Sequence, residues 1–251
     1  NADADITTTG TNGVGGAVGG AGGAVILDTN SNTITLKGTE INTTGGTSSG
    51  TAGTGGAITI SDPLELATAQ LVLNTGASGG NITTGTIDGA QSISFTAGSG
   101  TIDTGIIGGT TEITGLTYSA DAITLDSNLT VDGDVSITGA TTLGANITVD
   151  TNHDGTDGAV TFGAVDGSHS FTIDSGTGNV SVGVVGGSAA LSALSINITD
   201  GAGNDGDITI SGIGDDDPAE GVVGTVSIGN ANTRLLTLDG TNYDTDGTTT
   251  Y

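Results

Sequence analysis

The chain has 251 residues, no cysteine, and a net charge of −26 that comes from 28 acidic residues against only Lys37 and Arg234. This composition excludes a disulfide framework and thiolate metal sites, and an acidic surface without basic clusters argues against nucleic acid or anionic lipid as a partner. No apolar run approaches the roughly 20 residues of a membrane helix. Because its repetitive character never changes, the chain is expected to form one continuous body.

Short strands are predicted along the whole chain. The recurring unit is an apolar residue, then Thr or Ser, then an apolar residue, which buries two side chains and exposes one hydroxyl because strand side chains alternate between faces. The triplets begin at Ile34, Ile58, Ile93, Ile123, Leu129, Val135, Ile147, Val160, Val180, Ile208, Val226 and Leu236.

One stretch, Leu64 to Leu73, contains helix formers in series. Both a short helix and a loop that runs into a strand remain open for this stretch.

The chain also repeats itself over longer distances. The segment GVVGGSAALSALSI, which begins at Gly183, has similar copies that begin at Gly105 and Gly16. In an ungapped alignment of the second copy with the first, Asp88 and its glycine correspond to Asp166 and its glycine. Self-similarity of this kind is the signature of stacked repeat architectures. Three imperfect units are predicted, namely 16–104, 105–182 and 183–251, with residues 1–15 as the tail of a preceding unit.

These patterns predict an all-β protein, and more specifically a single β-solenoid, a right-handed parallel β-helix, over residues 1–251. Repeats of unequal length are tolerated where each coil contacts only its neighbours, whereas a closed barrel would lose its register. The scarcity of aromatic residues argues against a wide sandwich, and the outward Thr and Ser recur as stacked ladders would require. If a coil takes about 20 residues, the chain contains roughly 12 coils. The pairs Gly108-Gly109 and Gly186-Gly187 are predicted to lie at corners, with a positive φ in at least one residue of each.

Several of these segments resemble a known family. The run DGDVSITGATTLGANITVDTN (residues 132–152), the GxVGGxxxLxxL pattern, and the strands GGAITI and DGAVTF are similar to the repeats of giant bacterial surface proteins of the filamentous haemagglutinin-like, β-strand-repeat adhesin type. The resemblance covers most of the chain and implies an exported right-handed β-helix that serves as an adhesin, sheath or stalk. It assigns no functional residue, because the shared motif is structural.

Motifs associated with enzymes are present without their usual context. Gly46 to Gly50 and Gly76 to Gly80 match the GxSxG nucleophile pattern, but no helix is expected after either. Gly201 to Gly206 matches GxGxxG but precedes a strand. The only histidines, His153 and His169, are interpreted as surface turn residues. We therefore expect no enzymatic activity, and a polysaccharide-processing enzyme is an alternative that the shortage of basic and aromatic residues disfavours.

Carboxylates cluster in three loops of the C-terminal half. Hard oxygen ligands at short spacing suit Ca²⁺, although the sequence has neither an EF-hand loop nor a GGxGxDxUx repeat. A solvated acidic loop and a calcium site both remain open, and no other cofactor is expected. The candidate calcium ligands are Asp200, Asp205, Asp207, Asp215, Asp216, Asp217, Asp244 and Asp246.

The sequence favours a structural or adhesive protein that is secreted to the cell surface. Joining Tyr251 of one copy to Asn1 of the next restores the repeat interval, so head-to-tail stacking into a filament is expected. A window of one giant chain would show the same continuity. A carbohydrate- or ice-binding module that uses the outward Thr side chains is the other alternative, with surface glycans as partners. Nucleic-acid binding and membrane insertion are not expected.

Overall fold

The fold is all-β, as the sequence predicts. In the part of the chain that the computed structural model describes, all regular secondary structure is β-strand, so no helix there is long and apolar enough to cross a membrane. The chain forms two compact units, Asn1–Ile123 and Thr124–Tyr251. The described residues are 5–67, 69–152, 157–197, 205–215 and 220–251.

The strands are short, and every predicted triplet begins inside a strand. One strand, β11 (Leu116–Leu125), begins in the first unit and ends in the second. The first unit also contains β1 (Ile6–Thr7), β2 (Val25–Leu27), β3 (Ile34–Leu36), β4 (Glu40–Asn42), β5 (Ile58–Ile60), β6 (Leu64–Leu66), β7 (Leu71–Asn74), β8 (Ile82–Thr84), β9 (Ile87–Asp88) and β10 (Ile93–Thr104). The second contains β12 (Leu129–Thr130), β13 (Val135–Leu143), β14 (Ile147–Asp150), β15 (Val160–Phe162), β16 (Val165–Asp166), β17 (Ser170–Asp174), β18 (Val180–Val185), β19 (Ala193–Ile196), β20 (Ile208–Ile213), β21 (Val226–Ile228), β22 (Leu236–Leu238) and β23 (Thr249–Thr250).

In the first unit the strands pair side by side in three rows, and these pairings are parallel. The rows are β1-β4-β7-β10, β2-β5-β8-β10 and β3-β6-β9. The length of chain between paired residues varies from the short return that joins Ile82 to Ile102 to the long return that joins Ile6 to Ile41. Because parallel neighbours need a crossover connection, the chain leaves each row and returns to it.

The strands of the second unit also pair side by side, in two rows. One row is β12-β14-β17-β19-β21-β23, and the other is β13-β15-β18-β20-β22, with β16 paired to both β13 and β18. All of these pairings are parallel. The length of chain between paired residues also varies in this unit. It is shorter between Leu129 and Val149 than between Leu194 and Val226.

The core is built from the apolar residues of the triplets. Ile58 and Ile60 are fully buried while Thr59 between them is partly exposed, as side-chain alternation requires. Aromatic residues add one edge-to-face contact to the first unit, between Phe95 and Tyr118, whose ring centroids are 4.8 Å apart. Burial raises the pKa of Tyr118, whose hydroxyl lies 2.8 Å from Oγ1 of a buried threonine.

The repeat that relates Asp88 to Asp166 is also a repeat of conformation. Asp88 Oδ1 accepts hydrogen bonds from the N–H groups of Thr110 and Thr111, at 2.8 and 3.2 Å. Asp166 Oδ1 accepts hydrogen bonds from the two equivalent residues of the next copy, at 2.7 and 3.1 Å. The first glycine of each predicted corner pair has a φ of 68°, which confirms the predicted positive φ in both pairs.

The copy that begins at Gly16 differs from the other two. Gly15 and Gly16 have positive φ at the tip of a long loop, whereas Gly19, the residue that aligns with Gly108 and Gly186, does not have a positive φ. Gly19 instead lies buried between extended, glycine-rich chain segments. Sequence similarity at this copy therefore does not extend to conformation.

Of the two interpretations left open for Leu64 to Leu73, the helix is excluded. The stretch forms most of β6 and β7, because its leucines alternate and Leu64 pairs with Ile34 on one side and Ile87 on the other. Some returns take about 20 residues, as from Ile82 to Ile102, whereas others are longer, most clearly the return from Ile6 to Ile41. The additional residues of the first unit lie mainly in loops that follow β1 and β4.

Candidate functional site

Three glycine-rich loops of the first unit form what we call the glycine bundle. Loop 1 (residues 8–24), loop 2 (residues 43–57) and loop 3 (residues 75–81) follow β1, β4 and β7. A threonine hydroxyl at the start of each loop donates a hydrogen bond to a glycine carbonyl near its end, so each loop is closed at its base. These bonds are Thr8 to Gly23 at 2.5 Å, Thr43 to Gly56 at 2.6 Å and Thr75 to Gly80 at 2.8 Å.

Loop 1 is a hairpin of two extended arms. The N–H of Gly20 donates to the carbonyl of Thr11, and the N–H of Gly23 donates to the carbonyl of Thr8, both at 2.7 Å. Because Gly23, the donor that comes later in the chain, bonds to Thr8, the acceptor that comes earlier, the two arms are antiparallel. The returning arm packs in parallel on loop 2 through a second set of bonds. In this set Gly19 donates to Thr51 at 3.0 Å, Gly22 to Thr54 at 2.9 Å and Val25 to Ala57 at 2.9 Å.

Donors at every third residue are typical of the threefold polyproline II-type conformation rather than of a β-strand, whose side chains alternate with a period of two. Only glycine fits at the contacts. A Cβ on Gly19 would lie 2.0 Å from the carbonyl oxygen of Gly46, and one on Gly22 would lie 1.9 Å from that of Thr43. The strand pattern does not predict this bundle, but glycine at every third position from Gly10 to Gly22 is the signal that could have found it.

The glycine bundle borders a shallow cavity of about 320 Å³. Its lining residues are small, and neither an acid nor a histidine is among them. Such a cavity offers hydroxyl and backbone groups for hydrogen bonding but no group for acid–base chemistry. The lining residues are Thr44, Gly45, Thr47, Ala52, Gly53, Thr75, Gly76, Ala77 and Ser78.

The enzyme-like motifs lie in these loops or outside the described residues. The hydroxyl of Ser48, in the first GxSxG match, donates a hydrogen bond to the carbonyl of Thr51 at 2.9 Å. Ser78, in the second match, lines the cavity. Neither serine precedes a helix in the described part of the chain. His169 is partly buried, whereas His153 and residues 201–204 of the GxGxxG match lie outside the described residues.

The outward hydroxyl groups of the second unit stack in register, as the recurring Thr and Ser of the triplets predict. Two ladders cross five strands each, and neighbouring strands in a sheet are about 4.8 Å apart. Ladder 1 consists of Ser136, Thr161, Ser181, Thr209 and Thr237. Ladder 2 consists of Thr148, Thr172, Ser195, Ser227 and Thr250.

The structure describes five of the eight candidate calcium ligands: Asp205, Asp207, Asp215, Asp244 and Asp246; Asp200, Asp216 and Asp217 lie outside the described residues. Asp205 is buried, and its Oδ2 accepts a hydrogen bond from the Asn230 amide at 2.7 Å. The Arg234 guanidinium contacts Asp207 at 2.7 Å and holds the pKa of that carboxyl below its usual range. Within the described ranges, no group of three or more histidines or acids is placed to hold a metal ion.

The calcium hypothesis predicts that Ca²⁺ raises the melting temperature of the chain and that a chelator lowers it. A ligand that binds only the native state stabilises it by mass action, and carboxylate oxygens are suitable Ca²⁺ ligands. The measurement is thermal unfolding at constant ionic strength in the presence of Ca²⁺ or of EDTA. Identical melting curves would exclude a calcium site and leave the acidic loops solvated.

Many carboxylates are held by backbone N–H groups rather than by basic side chains. Asp62 accepts hydrogen bonds from the backbone N–H and hydroxyl of Thr29 and from the N–H of Ser31, and the Thr29 bonds hold its pKa below the usual range. Asp5 accepts the N–H groups of Thr39 and Glu40, which lower its pKa in the same way. These bonds connect one strand layer to the next, and they stabilise the two carboxylates without a basic side chain.

We predict that Asp62→Asn destabilises the protein at pH 7 and that the difference from wild type disappears in acid. A carboxyl whose pKa is lower in the folded than in the unfolded state stabilises the fold above its unfolded pKa, near 4, and this contribution is lost as the pH falls through the folded value. The measurement is the melting temperature of both proteins from about pH 7 to about pH 2. A difference that stays constant down to the lowest pH would contradict the prediction. Because both proteins carry nearly the same net charge, general charge repulsion largely cancels in the comparison.

No protein-family model matches the chain, and neither a curated protein nor a solved structure matches it.

Proposed function

We propose that each unit is a β-solenoid and that the protein is a structural or adhesive component of the cell surface. The observation that carries the proposal is the register: within each unit the described pairings are parallel, and the chain returns repeatedly to the same row, as from Ile82 to Ile102 and from Leu129 to Val149. A chain that winds in this way places each coil on its neighbour and builds a repetitive body. The resemblance to β-strand-repeat adhesins supports the extracellular location.

The proposed role is non-catalytic. Among the described residues, the cavity of the glycine bundle contains no acid–base group, and Nε of Arg234 is engaged by Asp207. Lys37 is the only other basic residue of the chain and is exposed. A polysaccharide-processing enzyme would need a basic or acid–base group beside its substrate. Turnover of an acidic polysaccharide by the purified protein would contradict this part of the proposal.

We further propose that copies of the chain stack head to tail into filaments. The edge strand β22 supports this proposal, because Leu238 is 38% exposed whereas its neighbour Ile210 in β20 is fully buried. Among the described residues β22 pairs only with β20. An unpaired strand edge that carries apolar side chains is a template for the addition of another strand.

The test is electron microscopy of cells that produce the protein, with antibody labelling, followed by mass spectrometry of the denatured material. We expect label on filaments outside the cell, and we expect denaturation to release separate polypeptide copies. Label confined to the cell interior would contradict the surface role. A single much larger polypeptide would show that the stacking continues within one chain and would contradict assembly from separate copies.

The hydroxyl ladders favour a second candidate, a module that binds surface glycans or ice. Regular hydroxyl groups at the strand spacing of about 4.8 Å form a repeating array of hydrogen-bonding groups. The test compares the wild type with the double substitution Thr161→Val and Thr209→Val in ladder 1, which removes two hydroxyls at nearly constant volume. Glycan-array binding or thermal hysteresis that is lost in the variant would support this candidate, and the absence of both from the wild type would exclude it.

A further inference from the structure

The outer face of loop 1 presents a row of unused backbone acceptors. The carbonyl oxygens of Val18, Ala21 and Ala24 accept no hydrogen bond from the described residues. The N–H groups of the same three residues donate no hydrogen bond to the described residues. All three residues are exposed. They follow one another at every third position, which places them on one side of a threefold extended segment. We call this row the acceptor edge.

The structure contains a filled version of the same edge one layer further on. Val25 pairs with Ile58, and continuing this register back along both chains matches Val18, Ala21 and Ala24 to residues 51, 54 and 57. Those three carbonyl groups in loop 2 accept the N–H groups of Gly19, Gly22 and Val25. The acceptor edge thus has the spacing of a row that, in loop 2, holds an extended glycine-rich segment.

We propose that the acceptor edge binds an extended glycine-rich segment of a separate polypeptide chain, with glycine at every third residue and free backbone N–H groups. Glycine is required in the corresponding segment of loop 1, because a Cβ on Gly22 would lie 1.9 Å from the Thr43 carbonyl oxygen of loop 2. A segment that approaches the acceptor edge equally closely needs glycine for the same reason. Three N–H groups with the same threefold period match the three acceptors.

The equivalent arm of a second copy of this chain is the wrong partner. Its N–H groups that have the required period, those of Gly19, Gly22 and Val25, are already bonded to loop 2. The partner segment must therefore bring N–H groups that are free before binding.

The test uses the full chain, labelled with ¹³C and ¹⁵N, and a capped peptide with the sequence of residues 17–25, AVGGAGGAV, which makes these bonds within the structure. Carbonyl ¹³C shifts report directly on hydrogen bonds that the backbone accepts. We expect saturable shifts at Val18, Ala21 and Ala24 and little change at Thr51 and Ala57, whose carbonyls already accept a bond. Binding of a short flexible peptide is expected at a Kd of about 1 mM or weaker, because its ordering opposes the three bonds.

Two control peptides isolate the donors and their spacing. Methylation of the three donor nitrogens removes the hydrogen bonds and should weaken binding by at least about tenfold. A peptide of the same composition, with its glycines moved out of the threefold period, keeps the N–H groups but should bind as weakly as the methylated peptide. The absence of saturable shifts, or equal binding of either control, would overturn the proposal.

Discussion

Replacing Phe171 by alanine should lower the free energy of unfolding by about 4 kcal/mol, which is the range for large-to-small changes of a fully buried aromatic residue. Phe171 is fully buried in β17, between Ile147 and Leu194 of the neighbouring strands. Its ring meets that of Phe162 edge to face, with centroids 5.1 Å apart. The substitution removes this contact and leaves a cavity in a core that has few other large side chains. The measurement is denaturant-induced unfolding followed by far-ultraviolet circular dichroism.

Thr172 provides a matched control, because it is the next residue of the same strand and points to the other face, where it is partly exposed in ladder 2. Thr172→Ala should change the free energy of unfolding by no more than about 0.5 kcal/mol. Similar effects of the two substitutions would contradict the assignment of Phe171 to the core and of Thr172 to the outside.

Gly186→Ala is the second large effect we expect, a loss of about 3 kcal/mol of stability. Gly186 has a φ of 68°, and a Cβ at this position would lie 2.1 Å from the carbonyl oxygen of Gly221 in the adjacent layer. The two backbones are joined there, because the N–H of Gly221 donates to the carbonyl of Gly186 at 2.8 Å. Alanine therefore introduces backbone strain and also separates two hydrogen-bonded segments. The same unfolding measurement gives the size of the effect.

Gly212→Ala is the control for Gly186→Ala. Gly212 lies in β20 and has no positive φ. A Cβ added there would lie 3.5 and 3.7 Å from the nearest atoms, which is ordinary van der Waals contact. Alanine there should be nearly neutral, because it also reduces the freedom of the unfolded chain. A Gly186→Ala protein as stable as the Gly212→Ala protein would show that the corner conformation does not require glycine.

The strands and the internal repeat could be predicted from the sequence because both depend on local alternation. The alternation in a triplet such as Ile58–Ile60 indicates which side chains are buried, and the aligned residues Asp88 and Asp166 accept equivalent hydrogen bonds from the next layer. The stretch from Leu64 to Leu73 stays open between a helix and a strand when only the local sequence is considered. Those residues are good helix formers, but their burial against parallel neighbours outweighs that weak local preference.

The glycine bundle could not be predicted in the same way, because its extended arms have no apolar pattern of their own. Its conformation depends on contacts between loops that are distant along the chain, as for Gly22 and Thr54. The candidate calcium ligands show a related limit. Spacing in the sequence groups Asp205 with Asp207, yet in the fold the first is held by Asn230 and the second by Arg234.

The most direct test of the parallel, layered register is a pair of engineered cysteines, which the chain permits because it has no cysteine of its own. Ser181 and Thr209 are partners on neighbouring strands of ladder 1, so their Cα atoms are about 5 Å apart, within the range that a disulfide spans. Ser181 and Thr237 lie two strands apart, at about 10 Å, which is too far. Mild oxidation should therefore close an intramolecular disulfide in Ser181→Cys with Thr209→Cys and leave Ser181→Cys with Thr237→Cys reduced. A first pair that stays reduced, or a second pair that closes as readily, would contradict the register.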